Sequence, residues 1–242
     1  MSEQNTPGDR RGFLLKMGLA GAATLTPVAL SAQAPAIKPA AGRKPEPVAN
    51  AYLSLGPDEA AFIEALVNLL CPADDLSPNG VDSGLAVYID RQLAGPFGQG
   101  DRRYLLGPFK TGKPELGLQS PLTPEQFCKA GIAAVNAACV RMHGSAFDQL
   151  PASTAESVLK DIDAGQVTDE RVPLAPWFNE IIYPLFNEGC FSDPVYGGNR
   201  DAVFWKMLGY PGLPATHAVD MVRYRGKPYP EAKHPKSMID FS

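Results

Sequence analysis

The sequence lacks the local motifs by which the common classes of enzyme are recognised. No Gly-x-Gly-x-x-Gly pattern follows a strand, because Gly98-Gln99-Gly100 has no third glycine and no βαβ context. The chain also has no Cys-x-x-Cys-His motif for haem attachment, no phosphate-binding loop and no nucleophile elbow. We therefore predict no catalytic and no cofactor-binding residue in this chain.

Clusters of metal-ligating side chains are also scarce. The three histidines are far apart in the sequence: His143, His217 and His234. Three acids lie beside the turn at residues 77–80: Asp74, Asp75 and Asp82. They lack the alternating spacing and the closing Glu of a calcium-binding loop. We predict turn-forming and helix-capping roles for these acids, and no metal site.

A basic stripe is missing as well. The formal net charge is −4, whereas nucleic-acid-binding domains usually carry clustered Lys and Arg. Nucleic acid is therefore not a predicted partner. The mildly acidic balance also argues against anchoring to anionic lipid.

Alternating β patterns are nearly absent, so we predict a mainly α fold. It is an irregular bundle of about six helices with long Gly/Pro-rich loops and an extended C-terminal arm. The predicted helices cover residues 56–71, 85–94, 123–143, 152–164, 177–187, which Pro184 should kink, and 199–208.

The strongest helix signal follows Thr123, where a capping box with a proline at the first helical position precedes an apolar stripe. The stripe consists of Cys128, Ile132, Val135, Cys139 and Met142. Cys128 and Cys139 would lie about 16 Å apart on this helix, beyond the reach of a disulfide.

The long loop at residues 95–121 has no periodicity and carries the aromatic residues Phe97, Tyr104 and Phe109. A loop of this length is usually functional or mobile. Two interpretations stay open, since the loop can lie on a partner or fold back over its own core.

The N-terminal region has the order of an export signal, with charged, apolar and then small residues. Twin arginines followed by Phe-Leu and a weakly hydrophobic run resemble the twin-arginine (Tat) type, which exports folded proteins. We predict a Tat signal peptide at residues 1–34, with the export residues Arg10, Arg11, Phe13 and Leu14. A flexible Pro/Ala-rich linker follows at residues 35–54, and a helical domain at 55–242. The cleavage point stays open, because Pro35 is awkward beside a scissile bond.

Turn-forming and aromatic residues are densest at residues 188–212. Asp193-Pro194 forces a turn, Gly197-Gly198 gives backbone freedom, and Asn199 can cap a short helix. The result is a predicted loop and helix hook that carries Tyr196, Arg200 and Trp205. Such side chains are enriched in binding hot spots, but they can equally build an ordered turn in the domain's own core. The residue types alone favour the core, because burial is the usual fate of such residues.

The same segment resembles a known family. Its core Gly-Cys-Phe-Ser-Asp-Pro-Val-Tyr-Gly-Gly-Asn-Arg-Asp and the following Trp-Lys-Met-Leu-Gly-Tyr-Pro-Gly resemble the gluconate 2-dehydrogenase subunit 3 family. A weaker resemblance extends from Leu55 to the C-terminus. The family comprises non-catalytic small (gamma) subunits of bacterial membrane-bound, FAD-dependent sugar and sugar-acid dehydrogenases.

The resemblance implies a heterotrimer whose cofactors lie outside this chain. A large FAD-containing subunit of the glucose–methanol–choline (GMC) type would oxidise the substrate, and a multihaem cytochrome c subunit would pass electrons to ubiquinone. The small subunit would serve the folding, stability and Tat export of the flavoprotein through the Tat translocase. It would reside at the periplasmic face of the inner membrane through its partners. The substrate stays open among gluconate, 2-ketogluconate, sorbitol, fructose and glucose.

The resemblance also makes the hook a predicted partner interface. The interface residues are Asp193, Tyr196, Gly197, Gly198, Asn199, Arg200 and Trp205, and Cys190 beside them is the candidate for an inter-subunit disulfide. The alternative is an autonomous periplasmic enzyme or a small-molecule-binding helical protein. Such a protein would use the cleft between the helices and the long loop.

Overall fold

The computed structural model describes residues 52–101, 103–110, 112–113, 117, 119–214 and 216–241. These residues form helices, with a single isolated parallel β-bridge between Gly212 and Lys236. The mainly α fold predicted from the sequence is confirmed. The α-helices are α1 (Pro57–Leu70), α2 (Leu85–Ala94), α3 (Pro96–Gln99), α4 (Pro124–His143), α5 (Ala152–Asp163), α6 (Leu174–Trp177), α7 (Tyr183–Phe191), α8 (Val203–Leu208) and α9 (Ala218–Arg223).

Trp177 lies at the centre of the hydrophobic core and is completely buried. Its ring is 6.1 Å from that of Phe62, which in turn lies 4.6 Å from Phe147. The indole Nε1 donates a hydrogen bond to the carbonyl oxygen of Cys128 at 3.0 Å. Gly131 leaves the room for this ring, since a Cβ there would lie 2.1 Å from Nε1. The core thus joins α1, α4 and α6 around one tryptophan.

Helix α4 begins as predicted. The Thr123 hydroxyl accepts a hydrogen bond from the Gln126 backbone N–H at 3.3 Å, and the Gln126 side chain accepts one from the Thr123 N–H at 3.1 Å. The predicted stripe is buried from Cys128 to Cys139, but Met142 is half-exposed. The helix runs past the core before Gly144 ends it in the left-handed region.

The helical run that contains Pro184 does not break at this residue. Helix α6 continues into a π segment, Phe178–Ile182, which leads directly into α7. Pro184 is in the first turn of α7, where a missing N–H is tolerated most easily. The local irregularity expected here therefore takes the form of a π turn. The residues predicted to face inward are buried: Phe178, Ile181, Ile182, Leu185 and Phe186.

Hydrogen bonds to Asp90 hold residues 53–55, at the start of the described chain, against α2. This 2% exposed carboxylate accepts backbone hydrogen bonds from Leu53, Ser54 and Leu55 at 2.7, 2.8 and 2.9 Å. The Lys129 ammonium also donates to the Ser54 carbonyl oxygen at 2.7 Å. The predicted linker extended to residue 54, but its last residues belong to the ordered domain because a buried acid holds them.

The C-terminal segment also differs from the predicted extended arm. It contains α9 and two 3-10 helices, Pro230–Lys233 and Met238–Phe241. At the β-bridge, Lys236 N donates to the Pro211 carbonyl oxygen and Leu213 N donates to that of Lys236, at 3.0 and 2.8 Å. The C-terminal segment therefore forms a loop that returns to the end of the hook at Lys236.

The described part of the long loop is only partly folded onto the domain. Its first turn forms α3, where Gly98 is buried, whereas Tyr104 and Leu106 are strongly exposed. Neither sequence-based interpretation of this loop accounts for all of it. Among the described helices, none is long and apolar enough to cross a membrane.

Candidate functional site

The hook, residues 193–212, begins directly after α7. Asp193 caps the 3-10 helix Pro194–Tyr196 by accepting a hydrogen bond from Val195 N at 3.0 Å. The same carboxylate accepts bonds from the Ser237 hydroxyl at 2.6 Å and from Met238 N at 3.0 Å. Asp193 was predicted to contact a partner, but its oxygens bind the chain's own C-terminal segment.

Asn199 is the internal anchor of the hook and is fully buried. Its Nδ2 donates to the Ser192 carbonyl oxygen at 3.0 Å, and its Oδ1 accepts the Phe204 N–H at 3.0 Å. One side chain therefore spans the loop from the end of α7 to the start of α8. Asn199 was expected to cap a helix, and its Oδ1 does satisfy a backbone N–H of α8.

The glycines of the hook permit close approaches to α2 and to α7. A Cβ on Gly197 would lie 2.7 Å from Arg91 Nη1, and one on Gly198 would lie 2.4 Å from the Gly189 carbonyl oxygen. A Cβ on Gly84, just before α2, would lie 2.2 Å from the Gly197 carbonyl oxygen. Two backbones therefore meet here with no room for side chains between them.

Arg200 extends this contact. Its N–H donates to the Ser83 carbonyl oxygen at 3.0 Å, and its Nη1 donates to the Asp82 carbonyl oxygen at 3.1 Å. The residue is nevertheless exposed, so part of its guanidinium faces outward. Arg200 therefore both fastens the hook and presents a cation at the surface.

Trp205 faces the interior. It is 6% exposed, and its Nε1 donates to the Phe191 carbonyl oxygen at 2.8 Å. Its ring meets that of Tyr210 edge-to-face at 5.1 Å. Trp205 was predicted to be an interface residue, but its indole is occupied within the domain.

The backbone of the hook is strained between Asn199 and Ala202. Asn199, Asp201 and Ala202 have φ values of 44°, 57° and 52°, which are unfavourable for residues other than glycine. Such strain costs about 1–3 kcal/mol per residue and persists only where the surroundings impose it. Strained residues cluster at functional sites, which singles out this turn.

Apolar side chains that face solvent are concentrated around the hook. Of the 20 large apolar side chains that are exposed in the described part of the chain, 12 lie between Phe191 and Phe241. Around the hook they are Phe191, Val195, Tyr196, Met207, Leu208 and Tyr210, and in the adjoining C-terminal helix Met238, Ile239 and Phe241. We call these nine residues the apolar rim. Apolar surface concentrated in this way usually marks an interaction site.

A cavity of about 310 Å³ lies between the end of the hook and α9. Its walls include Tyr210, His217, Asp220, Tyr224 and Tyr229. Successive rings meet edge-to-face, with centroids 6.4 Å apart for Tyr210 and His217 and 5.2 Å apart for Tyr224 and Tyr229. Tyr229 also donates a hydrogen bond to Asp220 at 3.2 Å.

Cys190 lies in the hydrophobic core and is 5% exposed. Burial raises the pKa of its thiol to about 12, and the charge of nearby Cys71 adds to this effect. An inter-subunit disulfide would require this sulfur to leave the core and to ionise. The structure therefore argues against the predicted bridge from Cys190, and all four cysteines are free thiols.

Two further sets of sequence predictions have different outcomes. The export residues Arg10, Arg11, Phe13 and Leu14 lie outside the described residues. The acids near the first turn serve that turn: Asp74 Oδ1 accepts hydrogen bonds from Leu76 N and Ser77 N, both at 2.8 Å. Across the described ranges, no group of three or more His, Cys, Asp or Glu side chains is arranged for a metal ion.

A sequence profile of the family described as gluconate 2-dehydrogenase subunit 3 matches residues 57–212, which is more than half of the chain. The chain belongs to the gluconate 2-dehydrogenase subunit 3 family. Comparison with curated proteins and with solved structures gives no match. The match to the subunit 3 family ends at Gly212, the last residue of the hook, and so excludes α9 and the rest of the C-terminal segment.

Membership of the subunit 3 family confirms the resemblance found in the sequence. The family is one subunit of a multi-subunit gluconate 2-dehydrogenase complex, so its members have partner subunits. Within the hook, the structure separates the seven predicted interface residues into three groups. Tyr196 and Arg200 are exposed, and Asp193 and Gly197 are partly buried. Gly198, Asn199 and Trp205 are buried and hold the hook in shape.

Sequence reasoning missed the residues on which the hook rests. Ser83 and Asp82 lie 117 and 118 positions before Arg200, and Ser237 lies 44 positions after Asp193. No local pattern links residues at such separations. Gly84 is required by the close approach of the Gly197 carbonyl oxygen, but a glycine before a helix does not by itself predict that contact.

Proposed function

We propose that this chain is the non-catalytic small (gamma) subunit of a heterotrimeric, membrane-bound, FAD-dependent dehydrogenase of the gluconate 2-dehydrogenase type. The apolar rim docks against the large flavoprotein subunit of the GMC type. FAD is bound by that subunit, and haem c by a multihaem cytochrome c subunit that passes electrons to ubiquinone.

The concentration of exposed apolar side chains around the hook carries this proposal. A chain that works alone gains nothing by exposing nine large apolar residues around one loop. The loop is held by Asn199 and by the close approach to α2, so little conformational entropy is lost when it docks. Tyr196 and Arg200 then supply the side-chain types that dominate binding free energies.

Replacing Tyr196 with alanine tests the docking surface. The side chain is half-exposed, so the free energy of unfolding should change little, while the affinity for the flavoprotein should fall at least tenfold. The matched control is Met142→Ala, which removes a similarly exposed apolar side chain from the end of α4. Pull-down of the flavoprotein by the purified variants measures the affinity. Equal binding by wild type and Tyr196→Ala would reject the rim as the interface.

We further propose that the Tat signal at residues 1–34 carries the folded flavoprotein to the periplasm together with this chain. Replacement of Arg10 and Arg11 with lysine should leave flavoprotein activity in the cytoplasm, because the twin arginines are the element that the translocase recognises. Cell fractionation and an activity assay with an artificial acceptor measure this. Normal periplasmic activity in the double variant would refute the carrier role.

The cavity beside α9 favours a second candidate function, the binding of a small molecule by this chain itself. Its volume of about 310 Å³ lies at the lower end of the range of ligand pockets, and its walls include three tyrosines. Calorimetric titration of the purified chain with the candidate sugars and sugar acids discriminates the two functions. Tight binding or turnover by the isolated chain would favour the second.

A further inference from the structure

The C-terminal segment that follows the hook forms a loop whose two ends are joined by hydrogen bonds. Hydrogen bonds between Lys236, Pro211 and Leu213 close its base, and a bond of 2.9 Å joins His217 Nε2 to the Gly212 carbonyl oxygen. The rings of His217, Tyr224 and Tyr229 pack against one another inside it. We call residues 216–236 the basic loop.

Helix α9 of the basic loop has no buried residue. Val219 and Val222 are 70% and 78% exposed. Because residues three and four apart share one side of a helix, Val219, Val222 and Arg223 lie together on one face. Asp220, Met221 and Tyr224 instead line the cavity, as does Lys227 further along the loop. The outward face of α9 therefore combines two valines with a cation.

The charge of the basic loop is opposite to that of the rest of the protein. It contains five basic residues and two acids, Asp220 and Glu231, so its formal charge is 5 − 2 = +3. The remainder of the chain has 22 − 5 = 17 basic and 26 − 2 = 24 acidic residues, a charge of −7. The basic residues are all exposed: Arg223, Arg225, Lys227, Lys233 and Lys236. None of them forms an ion pair within the described part of the chain.

Exposed apolar side chains beside cations and tyrosines are typical of surfaces that lie in the interface of an anionic membrane. A protein groove that accepts a helix usually takes anchors at i, i+3, i+4 and i+7, and the six residues of α9 are too few for that pattern. The long stems of Arg and Lys can instead cover the lipid surface while their charges reach headgroup phosphates. The observations therefore favour lipid over a second protein at this position.

We propose that the basic loop rests on an anionic lipid surface. Val219 and Val222 enter the boundary between headgroups and acyl chains, and Arg223, Arg225 and Lys227 bind the phosphates. The net charge of the whole chain, which argues against anionic lipid, conceals this local patch. The inference is independent of the proposed docking of the apolar rim.

Vesicle flotation of the purified full chain tests the proposal. Binding to phosphatidylglycerol vesicles should exceed binding to phosphatidylcholine vesicles and should weaken in high salt. The triple variant Arg223→Gln, Arg225→Gln, Lys227→Gln should bind about 100-fold more weakly, because each basic residue near an anionic surface contributes about fivefold. Replacement of the same number of exposed basic residues elsewhere is the matched control: Lys110→Gln, Lys113→Gln and Arg141→Gln. Equal losses in the two triple variants would overturn the proposal.

Hydrogen exchange locates the contact without any substitution. Phosphatidylglycerol vesicles should slow amide exchange at residues 219–227. In a separate binding measurement, Val222→Ser should weaken vesicle binding more than Val140→Ser, which replaces a half-exposed valine of α4. Unchanged exchange at residues 219–227 would overturn the proposal even if another segment binds lipid. Loss of the flavoprotein from the triple variant, with vesicle binding intact, would show that the loop contacts protein and would also overturn it.

Discussion

Replacement of Asn199 with alanine should destabilise the protein more than the same replacement of an exposed asparagine. The buried N–H of Phe204 would lose its acceptor, which costs about 1–3 kcal/mol, and the less buried Ser192 carbonyl oxygen would lose its donor, which costs about 1 kcal/mol. Alanine in the left-handed region, where Asn199 has a φ of 44°, adds about 1 kcal/mol. The free energy of unfolding should therefore fall by about 3–5 kcal/mol.

Urea unfolding followed by circular dichroism measures this loss. With a slope of about 2–3 kcal/mol per molar urea, the midpoint should fall by about 1–2.5 M. The control is Asn179→Ala, an exposed residue whose Nδ2 donates one hydrogen bond to Asp163 at 2.8 Å. The free energy of unfolding of this control variant should change by no more than about 0.5 kcal/mol. If Asn199→Ala loses no more stability than this control, the side chain is not the anchor of the hook.

Three further predictions concern the core, the pH dependence and the cysteines. Gly131→Ala should lower the free energy of unfolding by about 1–3 kcal/mol and shift Trp fluorescence, because its Cβ would lie 2.1 Å from Trp177 Nε1; an unchanged spectrum would contradict the packing. The hydrogen bonds that the Glu125 carboxylate accepts from Ser54 and Lys129 lower its pKa from the ordinary value of 4.5. The ionised carboxylate therefore stabilises the fold above pH 4.5, and this stabilisation is lost as the pH falls through the pKa of the folded state. Stability curves should therefore drop less steeply below pH 4.5 in Glu125→Gln. Alkylation of the native protein, followed by mass spectrometry, should label the half-buried Cys71 before Cys190, whose pKa is raised to about 12; the reverse order would contradict the burial of Cys190.

The two interpretations of the hook each describe a different part of it. Trp205 and Asn199 build an ordered turn in the domain's own core, as the residue types suggested. Tyr196 and Arg200 are exposed, as residues of a partner interface must be in the isolated chain. Composition could not separate these roles, because the same residue types are common both in cores and in interfaces.

The C-terminal segment shows a similar limit. Its prolines and its lack of periodicity predicted an extended arm, yet it closes on itself through Lys236 and returns to Asp193 through Ser237 and Met238. Short helices such as α9 carry little periodicity, so a pattern search does not find them.

The sequence by itself determined the longer helices, the capping box of α4 and the family, because these depend on residues three or four positions apart or on one continuous segment. The capping box of Thr123 and Gln126 and the buried stripe of α4 are examples. Only the tertiary structure decided which face of the hook meets solvent. That choice rests on contacts between Arg200 and Ser83 and between Asp193 and Ser237, and such contacts form only when distant parts of the chain are packed together.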